Sequence, residues 1–282
     1  MLALFGLTRA AFGLLEPLAP DVGSRWAAKL WFRTPPGSRR PAVPLAPGTP
    51  FTVRVDGRRV VGQSWGEGPV VYLVHGWGGW GTQLTAFVEP LVSLGFKVVT
   101  FDGPSHGESE PGVSGPGRTT LYEQSDALAM VVAEHGPAYA LIAHSAGAAV
   151  VAMQQREGLK PDRLVFLAPM AHPTPSTMTF ARRFGFGERI RRRMVRRIES
   201  KFGVTMDAFA IPSLASEQAV PPLLVVHDRN DEDTPISGGQ ELVRAWPDAR
   251  LVTTLGLGHH RILRDKAVVA EAVDFVRTTP RV

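Results

Sequence analysis

The sequence contains no cysteine among its 282 residues. This absence excludes a disulfide framework, a thiol nucleophile and a metal site built on thiolates. The sequence also lacks an internal repeat and any uninterrupted apolar run long enough to span a bilayer. No cofactor or metal is expected, because the histidines lack a ligand arrangement such as H-E-x-x-H. Serine, histidine and carboxylate side chains are therefore the candidates for chemistry.

The length and composition favour one large α/β domain, because 282 residues with 44% apolar content are enough for a full core. Phe51 to Val55 and Arg59 to Trp65 predict a leading hairpin around Asp56 and Gly57. From Pro69 onward, strand patterns alternate with helix patterns, which is typical of a mostly parallel sheet with helices on both faces. The helices are predicted at Gly81 to Leu94, Thr120 to Glu134, Ala146 to Gln155, Gly238 to Trp246 and Ile262 to Arg277.

The first fifty residues differ from the rest and are expected to form an extension. Leu2 to Leu15 predicts a helix that ends before Pro17, Val22 to Phe32 predicts an amphipathic helix, and Pro35 to Pro50 predicts a proline-rich linker. Arg9 interrupts the apolar run where a signal peptide would need its core, so cytoplasmic residence is the default expectation. The extension is expected to pack on the domain that follows. Contact of this segment with a membrane surface is the alternative.

Ser145 occupies a turn between an apolar strand pattern, Pro137 to Ile142, and an Ala-rich helix pattern that begins at Ala146. A serine on so tight a turn needs strained backbone angles and exposes its hydroxyl at the edge of the sheet. Ala146 and Gly147 are small enough for the helix to pack closely behind it. The N–H of Ala146 would then point to the space in front of Oγ, where an oxyanion would form. The pattern therefore predicts Ser145 as a nucleophile and Ala146 as an oxyanion donor.

Two further loops follow buried strand patterns. The loop His75-Gly76-Trp77-Gly78-Gly79 follows Pro69 to Val74, and its glycines free the backbone to turn N–H groups toward a neighbouring pocket. The N–H of Trp77 is therefore predicted as the second oxyanion donor. The loop Asp102 to Ser109 follows Phe96 to Phe101 and is interpreted as structural. His106 lies in it and is interpreted as a structural residue rather than as a catalytic base.

Two later loops offer a carboxylate and a histidine, which could act with Ser145 as the acid and the base of a catalytic site. Pro222 to His227 is an apolar strand pattern, and three candidate carboxylates follow it, at Asp228, Asp231 and Asp233. The last strand pattern, Arg250 to Leu255, leads into Gly256-Leu257-Gly258-His259-His260. Both loops follow the strands at one edge of the predicted sheet, so a histidine there can meet both the serine and an acid. The chain order is serine, acid, histidine, as expected for a nucleophile on a strand-turn-helix junction.

With these four motifs the chain resembles the α/β-hydrolase superfamily, and within it the small bacterial serine hydrolases with a short cap. The resemblance runs from about Phe51 to the C-terminus. It implies that the acid is Asp231, the fifth residue of His227-Asp228-Arg229-Asn230-Asp231. It implies that the base is His259, which completes the family's Gly-x-Gly-His pattern. The implied fold is an eight-stranded, mostly parallel sheet with helices on both faces and a small helical cap.

The sequence departs from the family pattern at several positions. Ala143 stands where the strict G-x-S-x-G motif has its first Gly, and Asp228 stands where family members usually carry Gly. Asp228 and Asp233 therefore stay open as alternative acids, and His260 as an alternative base. The family's other acid position, after the strand pattern Arg163 to Leu167, is occupied by Ala168-Pro169-Met170 and offers no carboxylate.

The family usually inserts its cap between the sixth and seventh strands, where this chain has a segment at about 170–213. The resemblance thus implies an extension at 1–50 and a hydrolase domain at 51–282 with this insertion. Apolar residues recur every four positions and predict a helix near Glu188 to Lys201 whose apolar face turns to the main domain. The recurring residues are Phe186, Ile190, Met194, Ile198 and Phe202.

Positive charge is concentrated in the same segment. Arg182 to Lys201 holds eight Arg, one Lys and two Glu, a net charge of +7 against +5 for the whole chain. A nucleic-acid partner is not expected, because no nucleic-acid-binding motif accompanies the charge. The arginines are expected on a solvated face, and the alternative is attraction of an anionic substrate or carrier.

The resemblance implies a serine hydrolase that cleaves a small-molecule carboxylic ester or thioester. In that scheme His259 takes the proton of Ser145, Asp231 orients the imidazole, and the N–H groups of Trp77 and Ala146 hold the oxyanion. Water then resolves the acyl-enzyme. An acyltransferase, a peptidase or a C–C bond hydrolase stays open, because fold and site do not select the scissile bond. A non-catalytic binding protein with the same fold is the alternative from another class.

Overall fold

In the computed structural model, residues 2–35 and 45–278 are described. Residues 36–44 of the predicted linker and the last four residues of the chain lie outside this range. The chain divides into two compact units. Met1–Arg33 and His172–Ala210 form the helical unit, and Thr34–Ala171 and Ile211–Val282 form the sheet unit.

The sheet unit is built on one sheet of eight strands in the order β1-β2-β4-β3-β5-β6-β7-β8. β1 pairs antiparallel with β2 and β2 with β4, and all other neighbours are parallel, which confirms the expected mostly parallel sheet. The strands are β1 (Thr49–Val55), β2 (Arg58–Trp65), β3 (Val70–Val74), β4 (Lys97–Phe101), β5 (Ala138–His144), β6 (Arg163–Leu167), β7 (Leu223–Asp228) and β8 (Ala249–Thr254).

The described helices include α1 (Leu2–Leu18), α2 (Pro20–Trp31), α3 (Val88–Ser93), α4 (Leu121–His135), α5 (Ala146–Arg156), α6 (Pro173–Phe184), α7 (Glu188–Phe202), α8 (Leu214–Glu217), α9 (Ile236–Ala245), α10 (Gly258–Arg261) and α11 (Lys266–Arg277). Short 3-10 helices cover Gly81–Phe87 and Met206–Phe209. No helix within the described residues is both long and apolar enough to cross a membrane.

The core of the sheet unit has two layers, because alternate side chains of a strand point to opposite faces. On β3, Tyr72 and Val74 lie in one buried cluster, and Val71 and Leu73 lie in the other. Side chains of α4, α5 and α9 cover the first face, and side chains of α3 and α11 cover the second. This confirms helices on both faces. Because β3, β5, β7 and β8 run in the same direction, the loops after them all leave the carboxyl-terminal edge of the sheet. The candidate site residues lie at this edge.

The start of α11 and the end of α1 differ from the predicted helix ends. α11 begins at Lys266 rather than Ile262, because the Asp265 carboxylate accepts the N–H groups of Ala267 and Val268 at 3.0 and 3.1 Å. α1 does not end before Pro17 but continues through it to Leu18. The proline falls in the last turn, and the N–H of Ala19 still donates to the carbonyl of Leu15 at 3.0 Å.

The helical unit brings the N-terminal helices together with α6 and α7. Its buried cluster contains Phe12 and Ala27 from the N-terminal helices and Phe186, Ile190, Met194 and Ile198 from the basic segment. The rings of Phe12 and Trp26 stack with centroids 4.3 Å apart. The apolar face of α7 was expected to turn to the main domain, and the residues buried with it come instead from α1, α2 and α6. The four-residue spacing of apolar side chains predicted this face but not the helices that pack against it.

Candidate active site

Ser145 lies between β5 and α5 with φ +53° and ψ −120°. A non-glycine residue in this region is strained, and strain of this kind persists only where the surroundings hold it. The N–H of Ser145 donates to the carbonyl of Leu167 at 3.0 Å, and its carbonyl accepts the N–H of Met170 at 3.1 Å. A Cβ on Gly147 would lie 2.7 Å from the carbonyl oxygens of Val74 and His75, so α5 needs glycine there to approach β3. The strained turn predicted at Ser145 is present.

The loop after β3 passes directly against this serine. A Cβ on Gly76 would lie 2.9 Å from the Cβ of Ser145 and 3.0 Å from the carbonyl oxygen of His144. Trp77 follows Gly76, and both residues line a small pocket together with Ala146 and Gly147. The N–H of Ala146 belongs to the first turn of α5, where N–H groups have no acceptor within the helix. The two predicted oxyanion donors therefore line the same space.

His259 connects the serine to a carboxylate. Its Nε2 lies 3.0 Å from Oγ of Ser145, and its Nδ1 lies 2.7 Å from Oδ2 of Asp231. The side chain of Asp231 has no exposed area, and that of His259 is 9% exposed. The carboxylate of Asp231 also accepts the N–H groups of Asp233 and Thr234, each at 2.9 Å, and the hydroxyl of Thr234 at 3.0 Å. Serine, histidine and acid thus form one hydrogen-bonded chain across three loops.

The competing carboxylates have other partners. Asp228 is fully buried, and its Oδ2 accepts the hydroxyl of Thr254 at 2.7 Å and the N–H of Leu257 at 2.9 Å. Asp228 therefore anchors the loop that carries His259. The carboxylate of Asp233 is 45% exposed and lies 4.0 Å from Nε2 of His260, whose side chain is 68% exposed. Of the three acids, the structure brings Asp231 to His259, and of the two histidines it brings His259 to Ser145.

Hydrogen bonding keeps both buried acids ionised. Burial would raise the pKa of Asp231, but its bond and charge interaction with His259 and the N–H groups of Thr234 and Asp233 lower it below the ordinary range. Burial would also raise the pKa of Asp228, but bonds from Thr254, Asn230 and the loop N–H groups outweigh it and lower this pKa to about 2. Asp231 is therefore available as an anion beside the imidazole.

Two neutral histidines brace the loop that carries Trp77. The Nε2 of His106 accepts the N–H of Gly78 at 2.9 Å, and its Nδ1 lies 3.0 Å from the carbonyl oxygen of Pro104. The Nε2 of His75 accepts the N–H of Gly103 at 2.9 Å. Burial, with the nearby His75, lowers the pKa of His106 to about 3, and burial lowers the pKa of His75 as well. His106 is thus fixed as a structural acceptor, in agreement with its interpretation from the sequence.

His144 and His227 were not singled out from the sequence. The Nε2 of His144 lies 2.9 Å from the carbonyl oxygen of His259, and the Nε2 of His227 lies 3.0 Å from the carbonyl oxygen of Thr234. Both nitrogens donate, because a carbonyl oxygen can only accept. Burial and the neighbouring His259 and His260 hold the pKa of His144 well below its usual range. His144 therefore positions the backbone of His259 as a neutral donor. A histidine ending a buried strand was the only signal that the sequence offered.

Among the described residues, one group of side chains has the spacing of a metal site. Ligand atoms of Asp231, Asp233 and His259 lie within 4.8 Å of one another. The Nδ1 of His259 and Oδ2 of Asp231 are bonded to each other, however. A cation could take both atoms only by breaking the bond that orients the imidazole.

Residues 71–272 match the family model described as the alpha/beta hydrolase family, so the chain belongs to that family. Among solved structures it is similar to an esterase from Exiguobacterium antarcticum, with a TM-score of 0.62 and 14% identity over 82% of this chain and 100% of that one. It is also similar to the thioesterase domain of the curacin biosynthetic pathway, with a TM-score of 0.59 and 16% identity over 83% of this chain and all of that domain, 100%.

A third similar structure is Est1E from Butyrivibrio proteoclasticus with bound ferulic acid, at a TM-score of 0.58 and 18% identity over 81% of this chain and 100% of that one. At these identities the likeness establishes the shared fold. No curated protein matches the sequence.

Proposed function

We propose that the protein is a serine hydrolase that cleaves a carboxylic ester or thioester through an acyl-enzyme intermediate. The observation that carries this proposal is the hydrogen-bonded chain from Oγ of Ser145 through His259 to Asp231. In the proposed reaction His259 removes the hydroxyl proton as Oγ attacks the acyl carbon, and it then returns the proton to the leaving alcohol or thiol. Water attacks the acyl-enzyme by the same route in reverse.

The role proposed for Asp231 is orientation. Its bond to Nδ1 holds the imidazole in the tautomer that leaves Nε2 free to accept the serine proton, and its charge stabilises the imidazolium that forms. The oxyanion is proposed to lie between the N–H groups of Ala146 and Trp77, at the start of α5 and in the loop braced by His106. An esterase and a thioesterase domain among the structural neighbours favour acyl ester and thioester bonds as the first substrates to test.

The test is covalent labelling with a fluorophosphonate, which reacts with an activated serine and mimics the tetrahedral intermediate. We expect one adduct per chain on the native protein, no adduct on Ser145→Ala, and unchanged labelling of the matched control Ser216→Ala, an exposed serine of α8. Hydrolysis of p-nitrophenyl esters should fall by about 10⁴-fold or more in Ser145→Ala. Labelling that survives in Ser145→Ala would overturn the assignment of Ser145 as the nucleophile. If the native protein shows no labelling and no turnover, the non-catalytic binding protein is the remaining alternative.

The reaction class is resolved by a second measurement. Esters, thioesters and amides of graded acyl length should be compared with and without an added alcohol acceptor. We expect release of free acid from esters or thioesters, with little effect of the acceptor. Quantitative transfer of the acyl group to the alcohol would identify an acyltransferase instead, and a preference for amides would identify a peptidase.

A further inference from the structure

The outer face of α1 carries no charge, although α1 lies at the surface. The helix has two charged residues, and both are bonded within the helical unit. Nη1 of Arg9 donates to the carbonyl oxygens of Arg182 and Arg183 at 2.7 and 2.5 Å. The carboxylate of Glu16 accepts N–H groups at the start of α7, with bonds between 2.8 and 3.3 Å. Neither charge is therefore left to solvate the opposite side of the helix.

That side exposes an apolar surface. Leu7, Leu14 and Leu18 are 68%, 65% and 78% exposed, whereas Phe12 on the inner side is fully buried. Seven and four residues separate the three leucines, so they lie on one side of a helix with 3.6 residues per turn. The other exposed positions on this side of the helix are also apolar: Gly6, Ala10, Gly13 and Pro17. Single exposed leucines need no explanation, but a whole face without a polar side chain marks a contact surface.

The helical unit that carries this face is strongly positive. The helical unit holds 13 Lys and Arg against 5 Asp and Glu, a net charge of +8, whereas the whole chain carries +5. Among the described residues, no acidic group lies within ion-pair distance of Arg183, Arg189 or Arg196. The backbones of Arg183 and Arg189 are themselves bonded to side chains of α1, which places these arginines beside the helix. On α2, the exposed residues Arg25 and Lys29 share a side with Val22, which is 52% exposed.

We propose that the helical unit binds an anionic lipid surface, with the outer face of α1 in the headgroup layer and the flanking arginines on lipid phosphates. A helix with an apolar outer side flanked by cations is the pattern of an interfacial helix. A second copy of the chain fits less well, because it would bring another +8 against the same surface. A nucleic acid would use the arginines but not the leucines.

The test uses the full-length protein and sedimentation with vesicles of phosphatidylcholine, alone or mixed with phosphatidylglycerol. We expect binding to the mixed vesicles at low salt, little binding to the neutral ones, and release at high salt as the charges are screened. Leu7→Ser with Leu14→Ser should weaken binding by about tenfold per leucine, because the buried side-chain area is lost. Arg183→Gln with Arg189→Gln should weaken it by about fivefold per charge.

Matched controls separate this surface from general exposure. Leu94→Ser removes a leucine that is 45% exposed on the sheet unit, and Arg244→Gln removes an exposed arginine there; both should bind like the native chain. Ser145→Ala should also bind normally, since the proposal does not depend on hydrolysis. Absence of binding, equal binding to neutral vesicles, or unchanged binding of both double variants would overturn it. The lipid proposal would also be overturned if the native protein forms a dimer in gel filtration, the leucine variant is a monomer, and neither binds vesicles. The leucines would then form a dimer interface. If the leucine variant has a lower melting temperature than the native protein, its loss of binding could come from unfolding, and the arginine variant then decides the outcome.

Discussion

At the scale of single residues, the crowded acid loop shows what the sequence could and could not decide. Asp228, Asp231 and Asp233 all follow β7 within a few positions, so strand-end reasoning left all three open. The choice depends on the turn, because the N–H groups of Asp233 and Thr234 fix one oxygen of Asp231 and leave the other for His259. The serine was easier to predict, since its small neighbours and the strand-to-helix junction are local in sequence.

The three acids should respond differently to removal of their charge. Asp231→Asn is expected to lower kcat by about 10⁴-fold, because an amide favours the wrong imidazole tautomer. Asp233→Asn should keep nearly full activity, since its carboxylate is exposed. Asp228→Asn should retain most activity with lower stability, because the bonds that it accepts from Thr254 and Leu257 hold the His259 loop. Ester hydrolysis rates and urea unfolding measure the two effects. An inactive Asp228→Asn beside an active Asp231→Asn would assign the acid to the strand end.

At the scale of secondary-structure elements, local capping could be predicted in part and long-range capping could not. Thr120 caps α4 through the N–H of Glu123 at 3.2 Å, a contact within one turn that the sequence pattern suggests. Glu16 caps α7 from a position more than 170 residues away in the chain. No local sequence pattern contains that contact. The sequence therefore could not show that α1 and α2 pack against α6 and α7. The helix periods were recognisable, but their partners were not.

Glu16→Ala should loosen the start of α7. The carboxylate accepts the N–H groups of Gly187, Arg189 and Ile190, and its charge favours the positive end of the helix dipole. We expect a loss of about 1–2 kcal/mol in the free energy of unfolding of the helical unit. Hydrogen exchange should quicken at Arg189 and Ile190 and stay unchanged in α5. The exposed Glu67→Ala is the matched control and should change neither. Unchanged exchange in α7 would show that water replaces the carboxylate without cost.

At the scale of the whole molecule, the fold was predictable and the distribution of charge among its units was not. Continuous apolar strands with helices between them dictate a parallel sheet covered on both faces. The net charge of +5 conceals a helical unit of +8, since the sheet unit has more acids than bases. The sequence located the basic segment, but only the tertiary structure joins it to the uncharged face of α1.

The sheet unit also contains four fully or almost fully buried histidines whose pKa burial lowers: His75, His106, His144 and His227. In the unfolded chain a histidine has a pKa of about 6.5. Below that pH these histidines are protonated in the unfolded state but stay neutral in the folded state. The free energy of unfolding is therefore highest, as far as these histidines contribute, above about pH 6.5, and it falls as the pH decreases. For His106 the loss continues toward its folded pKa of about 3. Each such histidine contributes a slope of about 1.4 kcal/mol per pH unit.

This slope can be assigned to one side chain. His106→Gln keeps an acceptor for the N–H of Gly78 but cannot titrate, whereas His106→Leu removes the acceptor as well. Urea unfolding at a series of pH values from neutral to mildly acidic should show a slope lower by about 1.4 kcal/mol per pH unit in both variants than in the native chain. At neutral pH the leucine variant should be less stable than the glutamine variant, because a buried N–H is left without its acceptor. It should also have the lower kcat on esters if the brace positions Trp77. An unchanged pH slope in both variants would mean that His106 takes up its proton in the folded state, and the brace would then open on mild acidification.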